Sequence, residues 1–505
     1  MEIKTDFPTG ANCELIKAGP CGMVIFGASG DLAKKKLFPS LYNIFKKRNL
    51  PENFFVIGYA RTPMEYATFR QEIKTATGTS DEQFLSRCYY ISGGYTEAAS
   101  YLKLASKLKE LEKKYATAGN IIFNLAVPPE LYAPITACLS KNGMLKKDKR
   151  TLPFQRLMVE KPFGHDYESA VALNAELLKY VTEEQLYRID HYLGKDTVQN
   201  ILVFRFANSI FEQAWNRDSI DHVQITMSED IGIEQRTGYF EKAGLIRDVL
   251  QNHMLQLLAL VAMEPPKTFD AELVQNEKVK VFKAIKPFKA NPNNADIIRG
   301  QYLEGSLQGL SMKGYRQETG VEKKSCVETF FAAKLFVNNK RWRGVPFYLK
   351  AGKRLDKKET KISVVFKGVP KCVFCHFENS VKMPNILTFI ITPEQGISLR
   401  LEAKVPGSKK CLSTLEMDVN YREIFKTDPS NDYASVILEC MFGDQTLFWR
   451  KDGVEAAWKI LTPVLRKWDS CPVNDKDGLM NYYAAGTSGT KAANEIIEKD
   501  GRHWL

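Results

Sequence analysis

The chain has 505 residues, 44% hydrophobic and 26% charged, which is ordinary globular composition and excludes a disordered, collagen-like or disulfide-framed protein. Lys and Arg number 71 against 59 Asp and Glu, a formal net charge of +12. The lysine runs at 34–36 and 357–358 are short and no Arg/Gly-rich tail follows, so the surplus reads as a basic solvated surface and nucleic acid is not an expected partner. The longest apolar run, 257–263, is far short of the ~20 residues a spanning helix needs, so no membrane span is expected. The opening MEIKTDFPTG carries no apolar signal core.

Residues 1–20 read as a loose N-terminal arm. From 21 to 202 short apolar runs at 23–26, 54–59, 121–127 and 157–160 are bounded by turn residues, as strands buried on both faces of a parallel sheet are. Helical stretches such as 36–48 and 98–116 lie between them, predicting a Rossmann-like doubly wound α/β domain. A larger β+α domain is expected over 203–505. It opens with a helix at 243–263, followed by a Pro-, Lys- and Asn-rich stretch at 265–300 expected to be partly loop. Alternating segments from 328 to 402 predict a mostly antiparallel sheet with one covered face, and helices return at 431–442 and 452–468.

The ten cysteines have no regular spacing and read as reduced thiols of a cytoplasmic protein. Cys372-Val373-Phe374-Cys375-His376 matches a haem-attachment pattern but reads as an alternating strand that carries two cysteines. There is no second C-x-x-C, and no metal site is expected.

Five constellations carry chemistry. Gly27-Ala28-Ser29-Gly30-Asp31-Leu32 follows a strand and opens a helix, where glycines admit a pyrophosphate to free N–H groups. The second strand ends in Arg61-Thr62, where an NAD enzyme would place an acid, so an extra phosphate on the ribose is favoured. Glu160-Lys161-Pro162-Phe163-Gly164 ends a buried strand, facing the ligand crevice. Arg188 to Asp196 reads as strand end, glycine turn and helix start, with His191, Tyr192 and Lys195 as a phosphate site. Alternation in an extended chain would turn Asp190 to one end of a substrate and His191 to the other. Asp248 and His253 share the helix expected at 243–263, and a histidine braced by a carboxylate is a general base near neutral pH.

In order and approximate spacing these strings, with the later Gly352-Lys353-Arg354-Leu355, resemble the glucose-6-phosphate dehydrogenase family from about Cys21 to the C-terminus. The resemblance implies NADP-linked oxidation of glucose 6-phosphate to the 1,5-lactone, the first step of the pentose phosphate pathway. It implies His253 as base and Asp190 as its orienting carboxylate. It assigns the sugar phosphate to Lys161, His191, Tyr192, Lys195, Glu229, Asp248, Lys353 and Lys358. It assigns the coenzyme to Gly27, Ser29, Gly30, Asp31, Leu32, Arg61, Tyr132 and Lys161. A homodimer, or a dimer of dimers, is implied in the same way. Asp196 and Ile390-Ile391-Thr392 depart from the family's pattern, and no second coenzyme site is expected. The competing readings are another NADP-linked sugar-phosphate dehydrogenase, or a basic nucleic-acid-binding protein on a dehydrogenase scaffold.

Overall fold

The computed structural model describes residues 17–148, 152–289, 296–369, 383–408, 411–425, 432–469 and 480–505. Two sheets organise the chain. The first has seven strands in the spatial order Phe448–Trp449, Leu186–Ile189, Gln155–Val159, Ile121–Leu125, Cys21–Phe26, Phe54–Ala60 and Cys88–Ser92. Its pairs are parallel except the edge pair made by Phe448–Trp449. Cys21–Phe26 and Phe54–Ala60 are buried at every position, which is why their sequences are continuous apolar runs and do not alternate. The helices Phe38–Lys46, Tyr66–Thr77, Ala98–Tyr115, Tyr132–Lys141 and Tyr167–Leu177 supply the crossovers. After Cys21–Phe26 the chain adds two strands on one side, then returns to build the other side from Ile121–Leu125 outward. The crevice beyond the ends of Cys21–Phe26 and Ile121–Leu125 is therefore a topological switch point, where open α/β sheets bind ligands.

The second sheet has nine strands, in the order Leu412–Asn420, Gly396–Lys404, Ile386–Thr392, Glu359–Phe366, Ile220–Ser228, Pro346–Gly352, Phe330–Phe336, Ile297–Leu303 and Met480–Ala484. It is antiparallel apart from the pairs Ile220–Ser228 with Pro346–Gly352 and Ile297–Leu303 with Met480–Ala484. The fold is thus a doubly wound α/β unit joined to a larger, mostly antiparallel sheet with helices.

The stretch 265–300 is partly loop, as expected, around a regular helix, Ala271–Ala284, capped by the Asp270 carboxylate accepting from the Glu272 N–H at 2.9 Å. Its charged outer face disguised a buried stripe of Val274, Val281 and Phe282. The helix expected at 243–263 is three pieces: Thr237–Leu245, a widened π turn over Ile246–Met254, and Leu255–Ala262. Cys372 to His376 lie outside the described residues.

Candidate active site

The coenzyme end of the crevice begins at the turn after Cys21–Phe26. Gly27 has φ +83°, and a Cβ there would meet the Ala126 carbonyl oxygen at 2.1 Å, so the turn admits only glycine. The Gly27 N–H donates to the Tyr59 carbonyl at 2.8 Å and the Gly30 N–H to the Gly27 carbonyl at 2.9 Å. The next helix opens as a π turn, Ala33–Leu37, and the N–H groups of a helix start lack intrahelical acceptors. Ser29 Oγ lies 3.3 Å from Thr62 Oγ1, linking this turn to the end of Phe54–Ala60. Asp31 sits at the surface paired with Lys35 at 2.8 Å, which lowers its pKa, while Leu32 packs on the core. The exposed Arg61 holds its guanidinium over the Tyr95 ring, 5.6 Å from the centroid. A glycine cradle, a helix start and an exposed guanidinium fit a dinucleotide with one extra phosphate. Tyr132 is placed differently from these. Its ring is fully buried and its hydroxyl donates to the Glu160 carbonyl at 2.7 Å, so it braces the Glu160–Lys161 segment from beneath.

Lys161 follows the strand Gln155–Val159, and its peptide to Pro162 is cis. Its ammonium donates to the Asp248 carboxylate at 2.9 Å and the Asp248 carbonyl at 3.0 Å, and lies 2.9 Å from His253 Nε2. Asp248 and His253 are five residues apart, which in an α-helix puts them ~140° apart around the axis. The i→i+5 bonding of the π turn brings residues five apart back onto one side, and both meet the same ammonium. Tyr239 adds its hydroxyl to the Asp248 carboxylate at 3.1 Å.

Asp190 ends Leu186–Ile189, is 0% exposed, and places Oδ1 2.6 Å from His253 Nδ1. The same oxygen accepts the Tyr192 N–H at 3.0 Å, because the chain turns at once into the short 3-10 helix His191–Gly194. Extended alternation therefore stops at Asp190, and His191 does not diverge from it as expected. The His191 ring packs edge-on against His253 with centroids 4.7 Å apart and stacks on Tyr433.

These contacts fix the tautomer. An ammonium only donates, so Nε2 of His253 is the acceptor and the ring proton sits on Nδ1, facing Asp190. Burial is the main cause that holds His253 below the ordinary histidine pKa; the Asp190 charge opposes it and Lys161 adds to it. Burial alone would raise the Asp190 carboxyl, but His253, His191 and Lys161 outweigh that and hold it down to about 2. At neutral pH the pair is a carboxylate and a neutral imidazole with a lone pair at Nε2. Burial, with His253 and Lys161 nearby, pushes His191 well below the usual range, so it acts as a neutral donor. Asp190, His191 and His253 have ligand-type atoms within 4.8 Å of one another, but Nδ1 is already spent on Asp190 and Lys161 directs an ammonium at Nε2. That arrangement is built for proton transfer.

At the other end of the site Lys195 precedes the helix Asp196–Ala207 and pairs with Asp432 at 2.8 Å, with its Nζ 5.3 Å from the centroid of the Tyr192 ring. Tyr192 lies 4.3 Å, ring to ring, from His253, and its hydroxyl neighbours Thr360. That contact draws the start of Glu359–Phe366 to the site, and Lys358 stands exposed on the turn before it. Lys353 is buried and donates to the Glu229 carboxylate, because Ser228 and Gly352 are register partners on neighbouring strands.

Four residues escaped the sequence reading. Tyr239 and Asp432 are described above. Tyr433 bonds Glu160 at 3.2 Å, and burial pushes that carboxyl up to about 7. Lys278 is a buried ammonium without a hydrogen-bond partner among the described residues, near Asp190, whose Oδ2 also lacks one. None belongs to a motif. Only Tyr239, nine residues before Asp248, lies close enough in the chain to have been found.

A doubly wound sheet with a glycine turn at its switch point, facing a braced histidine, defines a dinucleotide-dependent dehydrogenase. The comparisons narrow this. Residues 24–200 match the family model "Glucose-6-phosphate dehydrogenase, NAD binding domain", and residues 202–505 match "Glucose-6-phosphate dehydrogenase, C-terminal domain". Glucose-6-phosphate 1-dehydrogenase of Chlamydia pneumoniae is 43% identical over 502 residues, 96% of each chain. That of Bacillus subtilis is 40% identical over 486 residues, covering 95% of this chain and 97% of the relative. A solved glucose-6-phosphate dehydrogenase in complex with its substrate glucose-6-phosphate superposes with a TM-score of 0.87 at 34% identity, covering 97% of this chain and 99% of the other. The chain belongs to the glucose-6-phosphate dehydrogenase family.

Proposed function

We propose that the protein oxidises D-glucose 6-phosphate at C1 to 6-phospho-D-glucono-1,5-lactone, the first step of the pentose phosphate pathway, with His253 as general base. The observation that carries the base assignment is the imidazole held by Asp190 on one side, with its acceptor nitrogen facing Lys161 on the other. The C1 hydroxyl takes the place on Nε2 that the Lys161 ammonium occupies in the structure. Nε2 receives the hydroxyl proton as C1–O becomes C=O, and Asp190 stabilises the imidazolium through Nδ1–H. NADP, when bound, supplies the acceptor for the hydride that leaves C1. The Gly27 turn, Ser29 and Arg61 would hold it. Lys161 stands between the two ligands, freed from His253 to bond a sugar hydroxyl. Lys353, Glu229 and Asp248 offer donors and acceptors to the other hydroxyls, and a site built on such bonds rejects sugars lacking the partner group. His191, Tyr192, Lys195 and Lys358 hold the phosphate, whose remote binding helps fix C1 in reactive geometry. NADPH formation by the purified protein with glucose 6-phosphate, against other hexose phosphates, tests the reading. Equal rates with all of them would contradict it.

Three expected results follow from these roles. Lys195→Ala raises the KM for the sugar phosphate by ~10-fold or more, since a charge-assisted bond is lost, and steady-state kinetics checks it. Arg61→Ala weakens NADP more than NAD, and equal losses of the two affinities would refute a contact with the extra phosphate. The acid limb of kcat/KM falls below the ordinary histidine range, because His253 binds a proton less readily than free imidazole. Stability of the neutral base above that limb and its loss below it set the sign, and a limb above the ordinary range would contradict it.

The protein is also proposed to pair with a second copy of itself in the cytoplasm. The family resemblance supports the first point. Free thiols at Cys21, Cys88 and Cys440, all buried, fit a reducing compartment. Sedimentation at micromolar protein decides between monomer and dimer.

A further inference from the structure

The residue that meets Lys195 is itself an acid. Asp432 Oδ2 lies 2.8 Å from Lys195 Nζ, with the two side chains 22% and 12% exposed, so the pair is shielded from water on most sides. Asp432 opens the helix Asp432–Phe442, whose start is seated on the glycine next to Lys195. A Cβ on Gly194 would meet the Asp432 carbonyl oxygen at 2.1 Å. The following residue, Tyr433, stacks on His191 and donates to Glu160. Backbone contact and the Tyr433 anchor hold position 432 against the phosphate end of the site whether or not the ion pair is made.

We propose that Asp432 is a built-in competitor for the substrate's phosphate at Lys195, which sets the affinity of this chain for phosphorylated ligands. The inference rests on the assignment of Lys195 to the phosphate. A dianionic phosphate must take Lys195 from a carboxylate that cannot withdraw far, and it then sits beside that carboxylate. Both effects weaken phosphate binding, and neither acts on an uncharged sugar. Other charged or titratable groups near this corner are His191, which is neutral, Tyr192, whose hydroxyl burial pushes up, Asp190, bonded to His253, and Glu160, whose Oε2 accepts from Tyr433.

Asp432→Asn keeps the shape and removes the charge. The expected result is a KM for glucose 6-phosphate lower by ~5- to 30-fold, with an equal fall in the inhibition constant of inorganic phosphate as a competitor. Asp432→Ser, which also suits a helix start, gives the same direction. Asp432→Glu, which keeps the charge, retains the parental constants. Unphosphorylated glucose is the control, and its KM does not fall in Asp432→Asn. Should Lys195→Ala raise KM while Asp432→Asn leaves both phosphate constants unchanged or higher, the competitor role is overturned and Asp432 is only a favourable acid at a helix N-terminus. Should Lys195→Ala leave KM unchanged, the phosphate assignment fails first and this inference falls with it.

Discussion

His253→Asn lowers kcat by ~10²–10⁴-fold while the KM for glucose 6-phosphate changes far less. Asparagine occupies similar space and keeps a polar contact to Asp190, but it offers no basic lone pair where Nε2 stands. The proton of the C1 hydroxyl then has to leave to water, in a site whose imidazole is 3% exposed. Binding groups at the phosphate end are untouched, so affinity survives and the deficit appears in turnover. Steady-state NADPH formation by a folded His253→Asn protein measures this. Near-normal turnover would remove His253 from the chemistry altogether.

Asp190→Asn produces a loss of similar size by a different route. The Asp190 carboxylate accepts from His253 Nδ1–H at 2.6 Å and from the Tyr192 N–H at 3.0 Å with the same oxygen. An amide with its oxygen in that place keeps both bonds, and its NH₂ then stands where Oδ2 was, beside buried Lys278. The ring keeps its tautomer, but the base is no longer braced by a charge. The imidazolium formed during the reaction also loses its buried counter-charge. The expected result is kcat lower by ~10²–10⁴-fold, as when the aspartate of a Ser-His-Asp triad is made an amide. Activity also falls less on acidification, because an imidazole without its carboxylate protonates at still lower pH. A kcat near the parent's, with an unshifted acid limb, would show that Asp190 only packs.

The sequence made the doubly wound sheet legible because its strands are buried on both faces and punctuated by glycine turns; the runs 23–26 and 54–59, which lie within the strands Cys21–Phe26 and Phe54–Ala60, need no tertiary information to be read. The large sheet was legible from alternation, although its two parallel pairs left no trace in the pattern. Asp190 and His253 were found through motif order, since residues 63 positions apart carry no local sign of contact. The π turn at Ile246–Met254 was hidden, because a widened turn differs from an α-helix in hydrogen bonding and not in composition. Without it, Asp248 and His253 would not share Lys161. The stretch around Ala271–Ala284 was legible only as partly loop, because its Pro, Lys and Asn content masked the short apolar stripe that marks the helix. Asp432 and Tyr433 reach the site only through the packing of a distant helix on Gly194, a juxtaposition created by the fold.

A crystal structure of the protein with glucose 6-phosphate bound tests the central claim most directly. The expected result is His253 Nε2 within ~3 Å of the C1 oxygen, with Lys161 turned from the imidazole to the sugar. An anomeric oxygen lying out of hydrogen-bond reach of Nε2, with Lys161 still on the ring, would contradict it.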